Sequence, residues 1–270
     1  EAAPDLADAA LAVHARLADE SQERILRRES ARLFAGRPLA SKRLEQLTPW
    51  LDLLASGQLV ADGPIEKEHV WAALGLRREP QPLLVAGPGT LLLDGEVALP
   101  LATTFLGVPL DAVRGVRTDA ACVLSVENLA SFHDAARAAG ADRVLVVYTG
   151  GMPSPAWRRA YVRLLRSLPP DMPVWHWGDI DEGGFRIAAV LADTVSATGH
   201  RLQPWRMSPA ALARSALPGV YVPDAAVLGA MCRWAERAGW DGIATELRSH
   251  PLCLEQEALP ADLPHAHHAP

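Results

Sequence analysis

The sequence predicts an α/β protein: a parallel sheet with helices on both faces, preceded by a small helical, winged-helix-like domain. Three observations predict it. From about Asp119 onward, short apolar runs of strand character alternate with runs of helical period, and that alternation builds a parallel sheet covered by helices. Ahead of it, several short helical runs are punctuated by Gly and Pro. Between the two lies QPLLVAGPGTLLLDGEVALPL, whose apolar runs split by Gly-Pro-Gly and Asp-Gly read as hairpin strands. The expected division is a helical module over 1–78, a β-hairpin connector over 79–118, and an α/β domain with a C-terminal helical extension over 119–270.

In order along the chain, residues 5–35 read as helix with Leu6, Ala10, Val13 and Leu17 at helical spacing, broken at Ser21 and resumed at Glu23. SKRLEQLTPWLDLLA places Leu44, Leu47, Leu51 and Leu54 on one side, with an interruption or a kink expected at Pro49. Gly57 and Asp62-Gly63-Pro64 precede a short helix, IEKEHVWAALGL. In the α/β part, ACVLSV, DRVLVVY and MPVWHW are strands, and HRLQPWRM suggests a fourth. The helices between them are ENLASFHDAARAAG, PAWRRAYVRLLRSL with its stripe of Trp157, Tyr161, Leu164 and Leu168, and GGFRIAAVLADTV.

Bulk properties narrow the class. A chain of 270 residues holds one large core or two modest ones. No apolar run approaches the roughly 18 residues that cross a bilayer, and the start has no basic segment followed by an apolar one. The start without Met predicts that the natural chain begins earlier. Three scattered cysteines, Cys122, Cys232 and Cys253, fit a reducing cytoplasm better than a disulfide framework, and Cys122 reads as plain core. A net charge of -6 argues against indiscriminate coating of nucleic acid but leaves room for a local basic face. Arg24, Arg27, Arg28, Arg32, Arg37, Lys42 and Arg43 are seven basic residues set against one acid, Glu29, and are candidates for binding DNA phosphates. A second group, Arg158, Arg159, Arg163 and Arg166, contains no acid. The plainer reading of either group is a solvated helix face.

In open parallel sheets the functional groups gather beyond the carboxyl ends of the strands. Those ends read Ser-Val-Glu127-Asn128, Tyr148-Thr149-Gly150-Gly151 and Trp177-Gly178-Asp179-Ile180-Asp181-Glu182-Gly183-Gly184. Four carboxylates on one edge repel unless a cation offsets them, and Mg²⁺, with Mn²⁺ as a substitute, takes such oxygen ligands. Glu127, Asp179, Asp181 and Glu182 are therefore candidate metal ligands, the first three also catalytic candidates. Gly183 and Gly184 would bring backbone N–H groups close to a phosphate, with Arg186 one turn further along to help. Capping is the alternative for each acid, since acids are favoured in a first helical turn, and a structural ion pair is the alternative for Arg186. His133 and His176 read as core or surface histidines, not catalysts, and His265, His267 and His268 as an incidental cluster in the tail.

A glutamate at one strand end and a DxD about fifty residues later resemble the Toprim pattern of topoisomerases, primases and several nucleases. More closely, SVENLASF, YTGGMP, WHWGDIDEGGFRI and LEQEAL resemble the C-terminal half of the JetD family of Wadjet plasmid-defence subunits. That family is itself similar to the DNA-cleaving A subunit of topoisomerase VI. The resemblance covers about Ala121 to Ala258 and implies a Toprim-type sheet after a winged-helix DNA-binding module. It implies a metal-dependent endonuclease acting on double-stranded circular DNA, with Glu127, Asp179 and Asp181 as the site. It further implies a condensin-like SMC ATPase complex as partner, since no GxxxxGK[ST] for nucleotide hydrolysis is present here. Glu255 and Glu257 match a late acidic motif of the family, to which no mechanism attaches. A homodimer fits the need to cut two strands.

Neighbouring mechanisms fare less well. A topoisomerase VI-like enzyme needs a tyrosine in its winged-helix module, yet Tyr148, Tyr161 and Tyr221 all lie beyond residue 120. A dehalogenase-type phosphatase would want DxD after its first strand and a downstream lysine, and no lysine follows Lys67. From another class, a non-catalytic Toprim scaffold that binds DNA or a partner protein would share most of these features.

Overall fold

A computed structural model of the protein describes residues 2–18, 23–55, 67–101, 104–212 and 217–264. Ser21, Gly57, the Asp62-Gly63-Pro64 turn and His265, His267 and His268 lie outside the described residues. The chain divides into two units, Glu1–Gln81 with Met152–Trp157, and Pro82–Gly151 with Arg158–Pro270.

The first unit is helical. Its elements are α1 (Ala2–Ala18), β1 (Arg24–Ile25), α2 (Leu26–Leu33), α3 (Arg43–Gln46), α4 (Thr48–Ala55), α5 (Lys67–Ala73) and β2 (Leu76–Arg77). The two short strands pair in parallel. Leu26, Phe34, Leu44, Leu47, Leu51 and Trp71 form the core. The run expected to be interrupted or kinked near Pro49 is two helices, α3 and α4, separated at Leu47. Pro49 falls in the first turn of α4, where its missing N–H costs nothing.

α1 departs from the expected face. Leu6 and Leu17 are exposed, and the buried positions are Asp8, Ala9, Ala12 and Arg16. The two charged residues are inside because each has partners there. Arg16 Nε donates to the Leu74 carbonyl at 3.0 Å, and Asp8 accepts from Arg37 and Arg43.

The second unit carries β3 (Leu83–Ala86), β4 (Thr90–Leu93), β5 (Ala98–Pro100), β6 (Leu106–Val108), β7 (Val113–Arg117), β8 (Cys122–Val126), α6 (Leu129–Ala138), β9 (Val144–Tyr148), α7 (Pro155–Leu165), β10 (Val174–Trp177), α8 (Glu182–Ser196), β11 (Leu202–Pro204), α9 (Pro209–Leu212), α10 (Ala225–Arg237) and α11 (Asp241–Ser249). The first turn of α7, Pro155–Trp157, belongs to the first unit. The six-stranded sheet has the order β11-β10-β8-β9-β3-β6, parallel from β11 to β9 and antiparallel at β3. Every residue of β8 is buried, so both faces of the sheet centre are covered, as its predominantly apolar run requires. The arrangement is mixed α/β and Toprim-like.

The segment 79–118 is more than a run of local hairpins. β4 and β5 do form one, but β3 pairs with β6 and β9 in the large sheet, while β4 also pairs with β7 in a three-stranded sheet. Trp157, Tyr161, Leu164 and Leu168 on α7 and beyond are all buried. The three cysteines are free and buried. Among the described residues, no helix is long and apolar enough to cross a membrane.

Candidate metal centre

Parallel pairing in register sets the ends of three strands side by side. Val126 at the end of β8 is the partner of Trp177 on β10 and of Tyr148 on β9. Glu127 follows Val126 directly, Asp179 follows Trp177 after Gly178, and the two acids meet. Glu127 Oε2 accepts the Asp179 N–H at 3.3 Å. Two glycines make that approach possible. A Cβ on Gly178 would stand 2.5 Å from Glu127 Oε2, and one on Gly184 would run into the Asp179 carbonyl.

Asp181 turns to other work. It is the N-cap of α8, its Oδ1 accepting the Gly184 N–H at 2.7 Å. That bond removes the Gly184 N–H from the set expected to meet a phosphate. Glu182 is the first residue of α8 and half-buried.

The rim is completed by a segment that follows α11. Ile180 and Leu254 exchange backbone hydrogen bonds of 2.9 and 3.1 Å, which ties this segment to the turn between β10 and α8. Gln256 then locks it. Its backbone N–H donates to Asp179 Oδ1 at 2.6 Å, its side-chain amide donates to the Trp177 carbonyl at 3.0 Å, and its Oε1 accepts the Asn128 N–H at 2.8 Å. Asn128, the N-cap of α6, also donates from Nδ2 to Glu257. The consequence is a cluster that strand-end reading does not reach: Asp179, Glu255 and Glu257 offer carboxylate oxygens within 4.8 Å of one another. The only sequence signal for the two glutamates was the late acidic motif.

Electrostatics mark the same place. Burial, then the charges of Asp179 and Asp181, push the Glu127 carboxyl well above its usual range. Burial raises Asp179 to about 7, against the lowering pull of the Gln256 N–H and with further upward push from Asp181, Glu255 and Glu257. An oxygen-only donor set under mutual repulsion suits a hard divalent cation such as Mg²⁺ or Mn²⁺. Asp179, Glu255 and Glu257 would hold it, with Glu127 and Asp181 close enough to that set to feel its charge.

The candidate DNA-binding residues are placed differently. Arg27 pairs with Glu45, Arg32 with Glu29, Arg37 with Asp8, and Arg43 with both Asp5 and Asp8. The count of seven bases to one acid therefore dissolves on folding, because Asp5, Asp8 and Glu45 come from other helices. Arg24 is half-buried in β1. Arg28 and Lys42 are exposed, with no acid bound to either among the described residues. Arg186 is a correction to its expected phosphate role. It is buried, its guanidinium 5.5 Å from the centre of the Trp234 ring on α10, so it belongs to helix packing. In the second basic group, Arg163 is likewise structural, donating to the Val113 and Leu110 carbonyls at 2.6 and 2.8 Å. His133 packs edge-on against Phe105.

The fold and the rim thus define a class: an α/β, Toprim-like protein with an acidic cluster at the carboxyl ends of its parallel strands. The chain belongs to the family described as Wadjet protein JetD, C-terminal, which it matches over residues 80–267. It is therefore a Wadjet-system subunit by family. A comparison with curated proteins gives no match.

Proposed function

We propose that the protein is a metal-dependent DNA endonuclease, cleaving phosphodiester bonds of circular plasmid DNA by hydrolysis within a Wadjet-type defence system. The observation that carries this reading is the meeting of Asp179, Glu255 and Glu257 within 4.8 Å at the sheet rim, beside the half-buried Glu127. A divalent cation there, when bound, stabilises charge on a phosphodiester and lowers the pKa of a water. The residues of the chain divide the remaining work. Asp179 is oriented by the Gln256 N–H, so its carboxylate is presented in one direction. Glu127, held by the Asp179 N–H, is placed to take or return a proton beside the reacting phosphate. Asp181 fixes the start of α8 and adds negative charge near the cation.

Double-stranded DNA is the proposed substrate, with the 1–78 module as a winged-helix DNA-binding element that uses Arg28 and Lys42. A condensin-like SMC ATPase complex is the proposed partner that delivers it, and a homodimer would supply two sites for two strands. The test is incubation of closed circular plasmid with Mg²⁺ or Mn²⁺, with and without that complex. The reading expects nicked or linear product from wild type and none from Asp179→Ala. Intact plasmid from wild type under every combination would contradict it.

A further inference from the structure

His176 lies on β10, two residues before Gly178, and is fully buried. Its Nδ1 is 3.0 Å from the hydroxyl of Ser125 on β8. The single proton of that hydroxyl goes to the Trp175 carbonyl at 3.0 Å, because a carbonyl can only accept. Ser125 must then accept from the ring, so Nδ1 carries the hydrogen and Nε2 is a bare acceptor. Nε2 is buried and meets no hydrogen-bond donor among the described residues. A buried acceptor left unmet is costly, so what it faces matters.

It faces the centre. The position of a Cβ on Gly178 is 2.9 Å from His176 Nε2 and 2.5 Å from Glu127 Oε2, so ring and carboxylate border the same small space. Only glycine leaves that space open. The two atoms make no direct hydrogen bond, yet they are no further apart than those two legs together, a span one water bridges. Burial holds the imidazole at about 3, so the ring is neutral and adds no charge to the acids.

We propose that His176 is a positioning residue for Glu127. One bound water donates a hydrogen to His176 Nε2 and the other to Glu127 Oε2. The chain Trp175 carbonyl, Ser125, His176, water then fixes the carboxylate from inside the sheet, as the Asp179 N–H fixes it from the rim. The hydrogen-bond chain stands on geometry alone. Its effect on cleavage rests on the nuclease reading.

The test uses the full chain with ¹⁵N-labelled histidine, the His176 signals being assigned by their loss in His176→Asn. The expected result is the Nδ1–H tautomer, with an Nε2 shift that moves on Glu127→Gln and on addition of Mg²⁺. An Nε2–H tautomer, or an Nε2 signal that ignores both changes, overturns the proposal. In the plasmid assay His176→Asn should lower the rate about 10–100-fold. His176→Gln, whose Oε1 accepts where Nε2 did, should recover most of it. Equal losses in both variants, tracking equal drops in melting temperature, would mark a packing role and overturn the proposal. If wild type leaves plasmid intact, the nuclease reading falls while the labelled-ring measurement still decides this one.

Discussion

Two charged regions of this molecule follow opposite rules. In the helical unit, acid meets base. Burial alone would raise Asp8, but Arg43 and Arg37 bonded to it hold its carboxyl below the usual range, and Arg32 does the same for Glu29. At the sheet rim, acid meets acid. Asp179 is pushed up to about 7 by burial and by its acidic neighbours, with a backbone N–H as the main relief. Compensated charge of the first kind serves the fold. Repulsion stored in the second kind is what a binding site for a cation looks like before the cation arrives.

That contrast can be broken by substitution. Asp8→Ala leaves Arg37 and Arg43 without their shared acid, and should cost about 3 kcal/mol in chemical denaturation, the lower end for a buried pair because Arg37 is half exposed. Asp179→Asn relieves repulsion and should raise the melting temperature of the metal-free protein while abolishing its response to Mn²⁺. If both substitutions destabilised alike, the two regions would not differ in kind.

Gln256→Ala sharpens the picture at the rim. It removes the bonds to Trp177 and Asn128 that seat Glu255 and Glu257, without touching any carboxylate. Divalent-ion affinity should fall about 10–100-fold by calorimetry, with the far-UV spectrum unchanged. Unaltered affinity would mean that the segment after α11 is not what forms the site.

The pH response should be smaller and opposite in sign between the regions. The folded-state value of Asp179 lies above its ordinary 3.8, so the folded chain holds more protons than the unfolded one between about 4 and 7. Its contribution is present below that window and is lost as pH rises through about 7. Asp8 and Glu29, lowered in the folded state, contribute above their ordinary values and lose that contribution as pH falls through the lowered ones. Stabilisation by Mn²⁺ should consequently grow from pH 5 to pH 8 in thermal scans. A cation effect independent of pH would place the ion away from Asp179.

The smallest effect expected is at the exposed bases. Arg28→Glu should weaken DNA binding a few-fold, more at low salt than at high, and leave stability unchanged. An equal effect at all salt concentrations would assign Arg28 to the solvated face.

How far the sequence reached follows from where each residue sits. β8, β9 and β10 were readable because their mostly buried positions write short, predominantly apolar runs, and parallel pairing makes their ends neighbours without further information. That is why Glu127 and Asp179 could be expected together. Glu255 and Glu257 were not placed, because they arrive on an irregular segment whose position depends on one pairing, Ile180 with Leu254, and on a single side chain, Gln256. No periodicity records such contacts. The buried face of α1 was missed for a related reason: Asp8 and Arg16 are inside because of partners far along the chain, and a search for apolar stripes passes over them. Arg186 was misplaced since a charged residue one turn into a helix reads as rim, whereas its guanidinium lies against Trp234.

The central claim is that Asp179, Glu255 and Glu257 converge on one divalent cation. Anomalous diffraction from crystals grown with Mn²⁺ tests it most directly. The account predicts a peak bounded by those three carboxylates, close to Glu127, that disappears in Asp179→Ala. A peak elsewhere, or none at saturating Mn²⁺ in crystals with an ordered rim, would contradict it.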